Sequence, residues 1–419
     1  MREVVLNEYT VGEKSENTLM FYFMIVLIVF GMFFNEIADI QFADEILEVL
    51  LVLIFAKALF FKQLGRPIGR DFKIFVTITL FYIGYSFAIH SNTSRSILTD
   101  ILLQVKPYIG FFSVYYMGIR FNKTQKNKLK FVFLTLLIIA IGTLLWSMSH
   151  GKLSWNLMAI YTHPSKFYSA LIIIGLGYLY CTSFSLKNIL FFFFIISLGL
   201  LTQKGKMYGF FASAAFLTFM LKNGLELKFS LKNILLFSLL VFVVIWAAQD
   251  KVMFYFVETS TNDLDSLARP LLYYTSMNVL MDYFPFGPGF ATFATHASRI
   301  DYSELYYNYD LNRIWGLSPE MSDFAADTFY PSLAQFGVIG VLLFIAFWVR
   351  IVKELNRNKK TSNSLKNYLI GVLIMVFLCI ELVADAAYTN NRGFTLMVLL
   401  ALILNDTNVD EDSTETYEH

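Results

Sequence analysis

The chain has 419 residues, of which 57% are hydrophobic and 16% are charged. Soluble domains carry about 25% charged residues, so this composition excludes a large soluble enzyme. The 33 basic residues are balanced by 32 acidic residues, which gives a net charge of +1. A nucleic-acid-binding protein needs excess positive charge to neutralise phosphates, so the even balance excludes nucleic acid as a partner. The composition therefore indicates a membrane protein.

Apolar stretches recur along the whole chain, and a helix needs roughly 20 apolar residues to cross a bilayer. We predict an all-α polytopic membrane protein with about twelve crossings. The first stretch has no small-residue cleavage site behind it, so we expect a retained helix and not a signal peptide. The predicted spans are 18–34, 44–61, 73–90, 99–119, 130–148, 167–184, 188–202, 207–222, 233–249, 329–349, 367–387 and 393–406.

Lysine and arginine concentrate in alternate connecting segments, which is typical of the cytoplasmic side of a membrane protein. The most basic segments are 62–73, 120–130, 222–232 and 350–366. This pattern places both termini in the cytoplasm of a multi-pass protein of the cell membrane. We divide the chain into nine crossings over 1–249, a large outer loop over 250–328, three crossings over 329–405 and a disordered acidic tail over 406–419.

The outer loop over 250–328 is the most distinctive segment, because loops longer than about 15 residues are rare unless they are functional or disordered. It carries many aromatic residues, so we expect it to fold. Segment 266–284 predicts an amphipathic helix on the membrane surface, and FGPG at 286–289 predicts a turn. The apolar positions of that helix are Leu271, Leu272, Tyr273, Tyr274, Met277, Leu280 and Met281.

Three cations on the outer side are candidates for binding an anion. Lys204 and Lys206 lie in a very short hairpin between apolar helices, where they either bind a ligand or snorkel to the interface. Arg269 adjoins Pro270 at the predicted helix start, and its planar charged fork suits the oxygens of a diphosphate. The alternative for Arg269 is a structural ion pair with Asp263 or Asp265.

Asp327 is predicted at the outer end of the tenth crossing, shortly before Tyr330 and Pro331. A carboxylate at this position either caps the helix or takes a proton from a hydroxyl nucleophile. The residue type alone favours the cap.

Three features follow one another along the chain: a cation in a short outer hairpin, a long outer loop with Arg269 ahead of FPFGPGFATF (284–293), and a polar residue ahead of LAQFGVIGVLLF (333–344). In this order, they resemble the membrane polymerases and ligases of bacterial surface polysaccharides, the Wzy and O-antigen ligase family. The resemblance covers the order of about twelve helices and residues 200–344. It implies a GT-C-like fold and an inverting, metal-independent transfer of repeat units from a polyprenyl diphosphate carrier.

By this resemblance, Arg269 corresponds to the family arginine that holds the diphosphate, and Lys204 falls where another basic residue is usual. Ligases of the family carry a histidine near the position of Asp327, so aspartate there, with lysine at 204, favours a polymerase. The resemblance also implies a lipid-linked oligosaccharide as donor and as acceptor, and a chain-length regulator as a further partner.

The chemistry of this transfer suits the same residues. Cleavage of the anomeric bond develops negative charge on the diphosphate, which fixed cations stabilise, and the acceptor hydroxyl must lose a proton. We predict Arg269 and Asp327 as catalytic residues, with Lys204 and Lys206 as further diphosphate ligands. Alternative bases are Glu320, Asp323 and His296, and His296 is equally explained as an ordinary interfacial residue.

Sugar binding is predicted for the aromatic and polar residues of 301–315 and for one tyrosine beyond it. A lid that packs on its own tyrosines is an equal alternative. The candidate sugar-binding residues are Tyr306, Tyr307, Tyr309, Trp315 and Tyr330.

Neither a cofactor nor a metal is predicted. The sequence has no phosphate-binding or dinucleotide-binding glycine pattern, and its two cysteines cannot build a zinc site. Asp263 and Asp265 form a DxD pattern, a weak indication of Mg²⁺, and a similar acidic run at 410–412 falls in the predicted cytoplasmic tail.

The main alternative function is transport, for instance a flippase for the same lipid-linked glycans, in which Lys57 and Lys106 would need explanation. A transporter usually has two comparable halves, and here one half alone carries a large loop, which favours an enzyme. A ligase or related polymerase with a different acceptor is the narrower alternative.

Overall fold

The structure is a computed structural model that describes residues 17–34, 43–222, 268–357 and 362–407. These residues form helices joined by turns, and no β-strand occurs among them. The predicted crossing over 233–249 lies outside the described residues, as do Asp263, Asp265 and the acidic run at 410–412. The all-α prediction is confirmed for the described part of the chain.

The described ranges contain thirteen main helices, α1 to α13 in chain order, and each predicted span on described residues overlaps one of them. They are α1 (17–34, π-helical over Leu27–Phe34), α2 (Ala43–Phe60), α3 (Arg70–Ala88), α4 (Ser94–Met117), α5 (Lys123–Ser149), α6 (Leu153–Tyr161), α7 (Pro164–Cys181), α8 (Leu186–Ser197), α9 (Gly205–Lys222), α10 (Ala268–Asp282), α11 (Gly337–Arg357), α12 (Ser362–Glu381) and α13 (Asn391–Thr407).

Four helices in the described ranges are long and apolar enough to cross a membrane. They are Arg70–Ala88, Ser94–Met117, Lys123–Ser149 and Tyr330–Arg357, the last being α11 with the 3₁₀ turn that precedes it. On α5, the exposed side chains of Phe131, Ile138 and Leu145 repeat every seven residues and form one apolar stripe. Such a stripe is expected on a helix that faces lipid. The total of twelve crossings stays a prediction.

The main core is built around α7 and α13. Every residue of α7 except Lys166 is buried, and α13 is buried from Asn391 to Asn405. Neighbouring helices cover these two helices on all sides, so α7 and α13 occupy the centre of the bundle. Asp406, predicted to begin the disordered tail, is still within α13 and forms an ion pair with Lys126.

Residues 268–336 have a smaller core of their own. The predicted amphipathic helix is present as α10, with Leu272 and Val279 buried in this core and Tyr274, Met277 and Met281 exposed on the opposite face. The remaining core side chains come from the following short helices and turns, among them Phe293, Tyr306, Leu311 and Leu317.

The predicted FGPG turn is fixed to the ends of α3 and α4 by polar side chains. The Tyr85 hydroxyl donates to the Gly287 carbonyl at 2.9 Å, and Ser86 Oγ accepts from the Phe290 amide at 2.9 Å. The fully buried carboxylate of Asp100 accepts from the Ala291 amide at 2.7 Å. These bonds satisfy loop amides that would otherwise be buried without partners, and they hold the segment between α10 and α11 in place.

Gly287 is a position where only glycine fits. Its φ of +76° is strained for other residues, and an added Cβ would lie 2.3 Å from the Gly337 amide nitrogen. We expect Gly287→Ala to destabilise the protein by at least about 1–3 kcal/mol from the backbone strain alone, with the steric overlap in addition. Thermal unfolding of the purified protein measures this.

Gly142→Ala is the matched control, because an added Cβ at Gly142, inside α5, meets nothing within 4 Å. Alanine favours a helix over glycine by about 1 kcal/mol, so this variant should unfold at the wild-type temperature or above it. Equal unfolding temperatures for Gly287→Ala and the wild type would contradict this account of the turn.

Candidate functional site

The predicted catalytic residues Arg269 and Asp327 contact each other. Arg269 lies in the first turn of α10, and its Nε donates to Asp327 Oδ2 at 2.9 Å while Nη2 contacts the same oxygen. Both side chains are about one-third exposed, so solvent and a ligand can reach the pair. Among the described residues, the ion-pair partner of Arg269 is Asp327. The predicted partners Asp263 and Asp265 lie outside the described residues.

The helix-capping role predicted for Asp327 is wrong. Asp327 ends the 3₁₀ turn Asp323–Ala326, and the next turn, Tyr330–Phe336, begins after Phe329 without a side-chain cap. Pro331 lies in the first turn as expected. The carboxylate is held by Arg269 and not by helix amides. Burial raises the pKa of Asp327 above its usual value, and the positive charges of Arg269 and Lys206 oppose that rise.

Lys206, at the start of α9, is held by the end of α12. Its Nζ donates to Glu381 Oε1 at 3.0 Å and to the Ala384 carbonyl at 3.2 Å. The Glu381 side chain is only 1% exposed, and its two oxygens share the single proton of the Tyr168 hydroxyl, which lies 2.8 and 3.0 Å from them. A carboxylate buried this deeply requires such partners, so the contacts between α7, α9 and α12 are strongly specified here.

Arg392, at the start of α13, adds a second buried pair. It donates to both carboxylate oxygens of Asp385, at 2.7 and 3.1 Å, and lies 3.6 Å from Glu381. The Arg392 side chain is 4% exposed. Two cations thus share the acidic segment that joins α12 to α13, and a planar guanidinium with two parallel bonds fixes its geometry.

The two groups of charges form one site. The charges of Asp385 and Lys206 act on the Asp327 carboxyl, and the Phe329 amide donates to the Leu382 carbonyl at 3.3 Å. Lys204 lies beside this site, and its charge acts on His163 together with those of Lys206 and Asp385. We call the following residues the charged cluster: Arg269, Asp327, Lys206, Glu381, Asp385 and Arg392.

Sequence reasoning identified half of the charged cluster and missed Glu381, Asp385 and Arg392. Their signal is visible in the sequence, because ionisable residues within or beside an apolar segment are costly and are retained for a reason. The sequence alone does not single out Glu381 and Asp385, because neither acidic residue belongs to a recognisable motif.

The alternative bases have other surroundings. Asp323 pairs with Arg299 at 3.0 Å and is 69% exposed. His296 begins a short helix whose Ala297 carbonyl accepts a hydrogen bond from Ser96 on α4. Glu320 is exposed, and its charge acts on Tyr302. Of the four candidate bases, Asp327 is the one that the structure places against Arg269.

Three of the five candidate sugar-binding residues are bound to neighbouring structure: Tyr306, Tyr330 and Tyr309, the last through a hydrogen bond to Asp282 at 2.7 Å. The Tyr306 side chain is fully buried, where its hydroxyl accepts from the Ala294 amide and bonds to Ser298. Tyr330 donates to the Cys379 carbonyl at 3.2 Å. These contacts fit the alternative of a segment that packs on its own tyrosines.

Trp315 is linked to the charged cluster through the ring of Phe324. Its ring, 64% exposed, packs edge-on against Phe324 with the ring centres 5.4 Å apart. The Arg269 guanidinium lies 5.4 Å from the centre of the same Phe324 ring. Tyr307 is exposed beside Tyr302, so it remains reachable at the edge of the loop.

An apolar groove of about 340 Å³ lies between α3, α4 and α11. One end is at the ion pair of Asp71 and Arg350, and the other is at Tyr82 and Phe336. Phe329, two residues after Asp327, also lines it. The groove therefore lies next to the segment that carries Asp327, and its surface suits an apolar chain.

No protein-family model matches this chain, and no curated protein matches it in sequence. Within the described ranges, no group of three or more His, Cys, Asp or Glu side chains is arranged to hold a metal ion. The site is defined by its geometry alone.

Proposed function

We propose that this protein is a membrane glycosyltransferase that polymerises polysaccharide repeat units carried on a polyprenyl diphosphate. Its charged cluster would hold the donor diphosphate at the outer face of the cell membrane, and the acceptor is the sugar end of a second lipid-linked repeat unit. The observation that carries the proposal is the convergence of Arg269, Lys206 and Asp327 in one charged, partly exposed site.

The proposed reaction is a single displacement with inversion. An acceptor hydroxyl oxygen attacks the anomeric carbon, the bond from that carbon to the diphosphate oxygen breaks, and the polyprenyl diphosphate leaves with the electron pair. The hydroxyl proton passes to Asp327. Arg269 bonds to Asp327 in the structure, and transfer of the guanidinium to the diphosphate would release the carboxylate for use as the base.

The groove supports a lipid-linked substrate. A polyprenyl diphosphate combines two negative charges or more with a long apolar tail, and the molecule offers cations and an apolar groove on adjoining segments. Trp315 would contact a sugar ring, since an exposed aromatic face near the diphosphate site suits a pyranose.

The topology is part of the proposal. With both termini in the cytoplasm and about twelve crossings, the starts of α7, α9 and α13 and the end of α12 lie on the outer side, together with residues 268–328. The structure gives Lys106 a role that does not require transport, because its side chain is fully buried and pairs with Glu45 at 3.0 Å. This structural use of its charge weakens the transport alternative for Lys106.

The test is a transfer assay with the purified full-length protein, a polyprenyl diphosphate oligosaccharide and no nucleotide. We expect a ladder of longer glycans, and we expect it in EDTA as well, because protein cations replace a metal. Unchanged donor, with folded protein and the natural repeat unit, would contradict polymerisation. Movement of intact donor across the membrane of vesicles that contain the protein would favour a flippase. Strict dependence on Mg²⁺ would favour a metal site at the DxD pattern of Asp263 and Asp265.

A further inference from the structure

His163 is a histidine that the sequence analysis leaves without a role, and the structure places it beside the charged cluster. It is the N-cap residue of α7, in the connection between α6 and α7. Five residues further on, Tyr168 of α7 bonds to Glu381, which also pairs with Lys206, so the start of α7 lies close to the charged cluster. The charges of Lys204, Asp385, Lys206 and Arg392 act on the His163 ring. The side chain is exposed, which leaves it open to a ligand.

The cap fixes which ring nitrogen carries the proton. His163 Nδ1 accepts the Ser165 backbone amide at 3.1 Å and lies 2.5 Å from Ser165 Oγ. A backbone N–H can only donate, so Nδ1 has no proton and the neutral ring carries its proton on Nε2. The remaining nitrogen is therefore a hydrogen-bond donor and not a base.

The surroundings keep the ring neutral. Although the residue is exposed on one side, partial burial of its ring and the positive charges of Lys204, Lys206 and Arg392 lower the pKa of His163 to about 4, while Asp385 opposes them. Around neutral pH, His163 thus offers one N–H donor among cations, an arrangement that suits an anionic oxygen and adds no charge. The sequence gives no such indication, because the cap and the neighbouring helices are needed to see it.

We propose that His163 is a further ligand of the donor diphosphate, to which its Nε2–H donates a hydrogen bond beside Lys204 and Lys206. This inference rests on the proposed function, since it names a second element of the same site. It makes His163 a contact to the leaving group and not the acid or base of the reaction.

Two substitutions separate this role from the structural role of the cap. Asparagine is among the best N-cap residues, so the Oδ1 atom of His163→Asn can take over the Ser165 amide while the distal donor is lost. Glutamine places an N–H donor near the position of Nε2 but is a poor cap. If His163 binds the diphosphate, His163→Asn should bind it more weakly than His163→Gln does. If His163 only caps the helix, His163→Gln should be the more impaired variant.

The experiment measures binding of geranylgeranyl diphosphate to the full-length protein, with geranylgeraniol as the control ligand, and the unfolding temperature of each variant. We expect His163→Asn to unfold as the wild type does and to bind the diphosphate about tenfold or more weakly, the typical loss for a hydrogen bond to a charged group. His163→Gln should be less stable and should bind more tightly than His163→Asn.

Wild-type affinity in His163→Asn would overturn the inference, and so would a loss of affinity that is equal for the diphosphate and the alcohol. The glycan ladder of the wild-type protein is scored separately. A wild type that binds the diphosphate but makes no ladder contradicts the proposed function and leaves the binding comparison intact.

Discussion

An Arg269→Gln variant is expected to fold and to lose glycan transfer by about 10²- to 10³-fold in kcat. Removal of one fixed donor aimed at developing negative charge typically costs this much, because the interaction strengthens as the leaving group separates. Arg269 is about one-third exposed, so its loss leaves no deeply buried charge unpaired. The measurement is the rate of transfer from a labelled polyprenyl diphosphate oligosaccharide.

Arg313→Gln is the matched control in the same segment. Arg313 is 78% exposed and pairs with Asp310 at 3.7 Å, a surface contact of little energy. It should keep wild-type activity. If Arg269→Gln and Arg313→Gln retained equal rates, the diphosphate would be held elsewhere and the charged cluster would be a structural feature.

The second large effect is expected for Asp327→Asn, which keeps the shape of the side chain and removes the base. Loss of a general base costs about 10²- to 10⁴-fold in rate, whereas the donor should still bind. We expect kcat to fall with little change in the KM for the donor. Single-turnover measurements test this by separating the transfer step from donor binding. Full activity of Asp327→Asn would move the base to another residue.

The pH dependence provides an independent check on Asp327. A base acts only when ionised, so activity should fall as the pH drops through the pKa of Asp327 in the folded protein. Burial raises that pKa, so the acid limb should lie above 3.8, the ordinary value for aspartate. Arg269 opposes the rise, and the limb should therefore move to still higher pH in the residual activity of Arg269→Gln.

The positions of the helices were predictable because apolar runs and turn residues are local signals. The spans over 99–119 and 130–148, the helix over 266–284 and the FGPG turn all coincide with described elements. The sequence could not show that α7 and α13 lie at the centre, because burial on all sides depends on which helices surround them.

The site was predictable only where residue type and position agreed. The sequence indicates Arg269 and Asp327 through separate features, and their direct contact appears only when α10 folds against the segment before α11. The cap interpretation of Asp327 is wrong because the following turn begins at Tyr330 with Phe329 as its cap residue, two positions after Asp327. Tyr306 was assigned to sugar binding on residue type, but its hydroxyl satisfies a buried amide.

The buried pairs of the cluster explain why half of it escaped the sequence analysis. Glu381 ends α12, 175 residues after Lys206 in sequence, and their pairing is a property of the packed bundle. Asp385 lies between α12 and α13 and pairs with Arg392 at the start of α13. Ionisable residues at the ends of apolar helices therefore merit the same attention as recognised motifs.

The most direct measurement is the ratio of released carrier to new glycosidic bonds in the nucleotide-free reaction. If the cluster holds a departing diphosphate while Asp327 activates the acceptor, one polyprenyl diphosphate is released for each bond formed, and Arg269→Gln lowers both quantities together. Bond formation without release of the carrier, or release of the carrier without a longer glycan, would contradict the account.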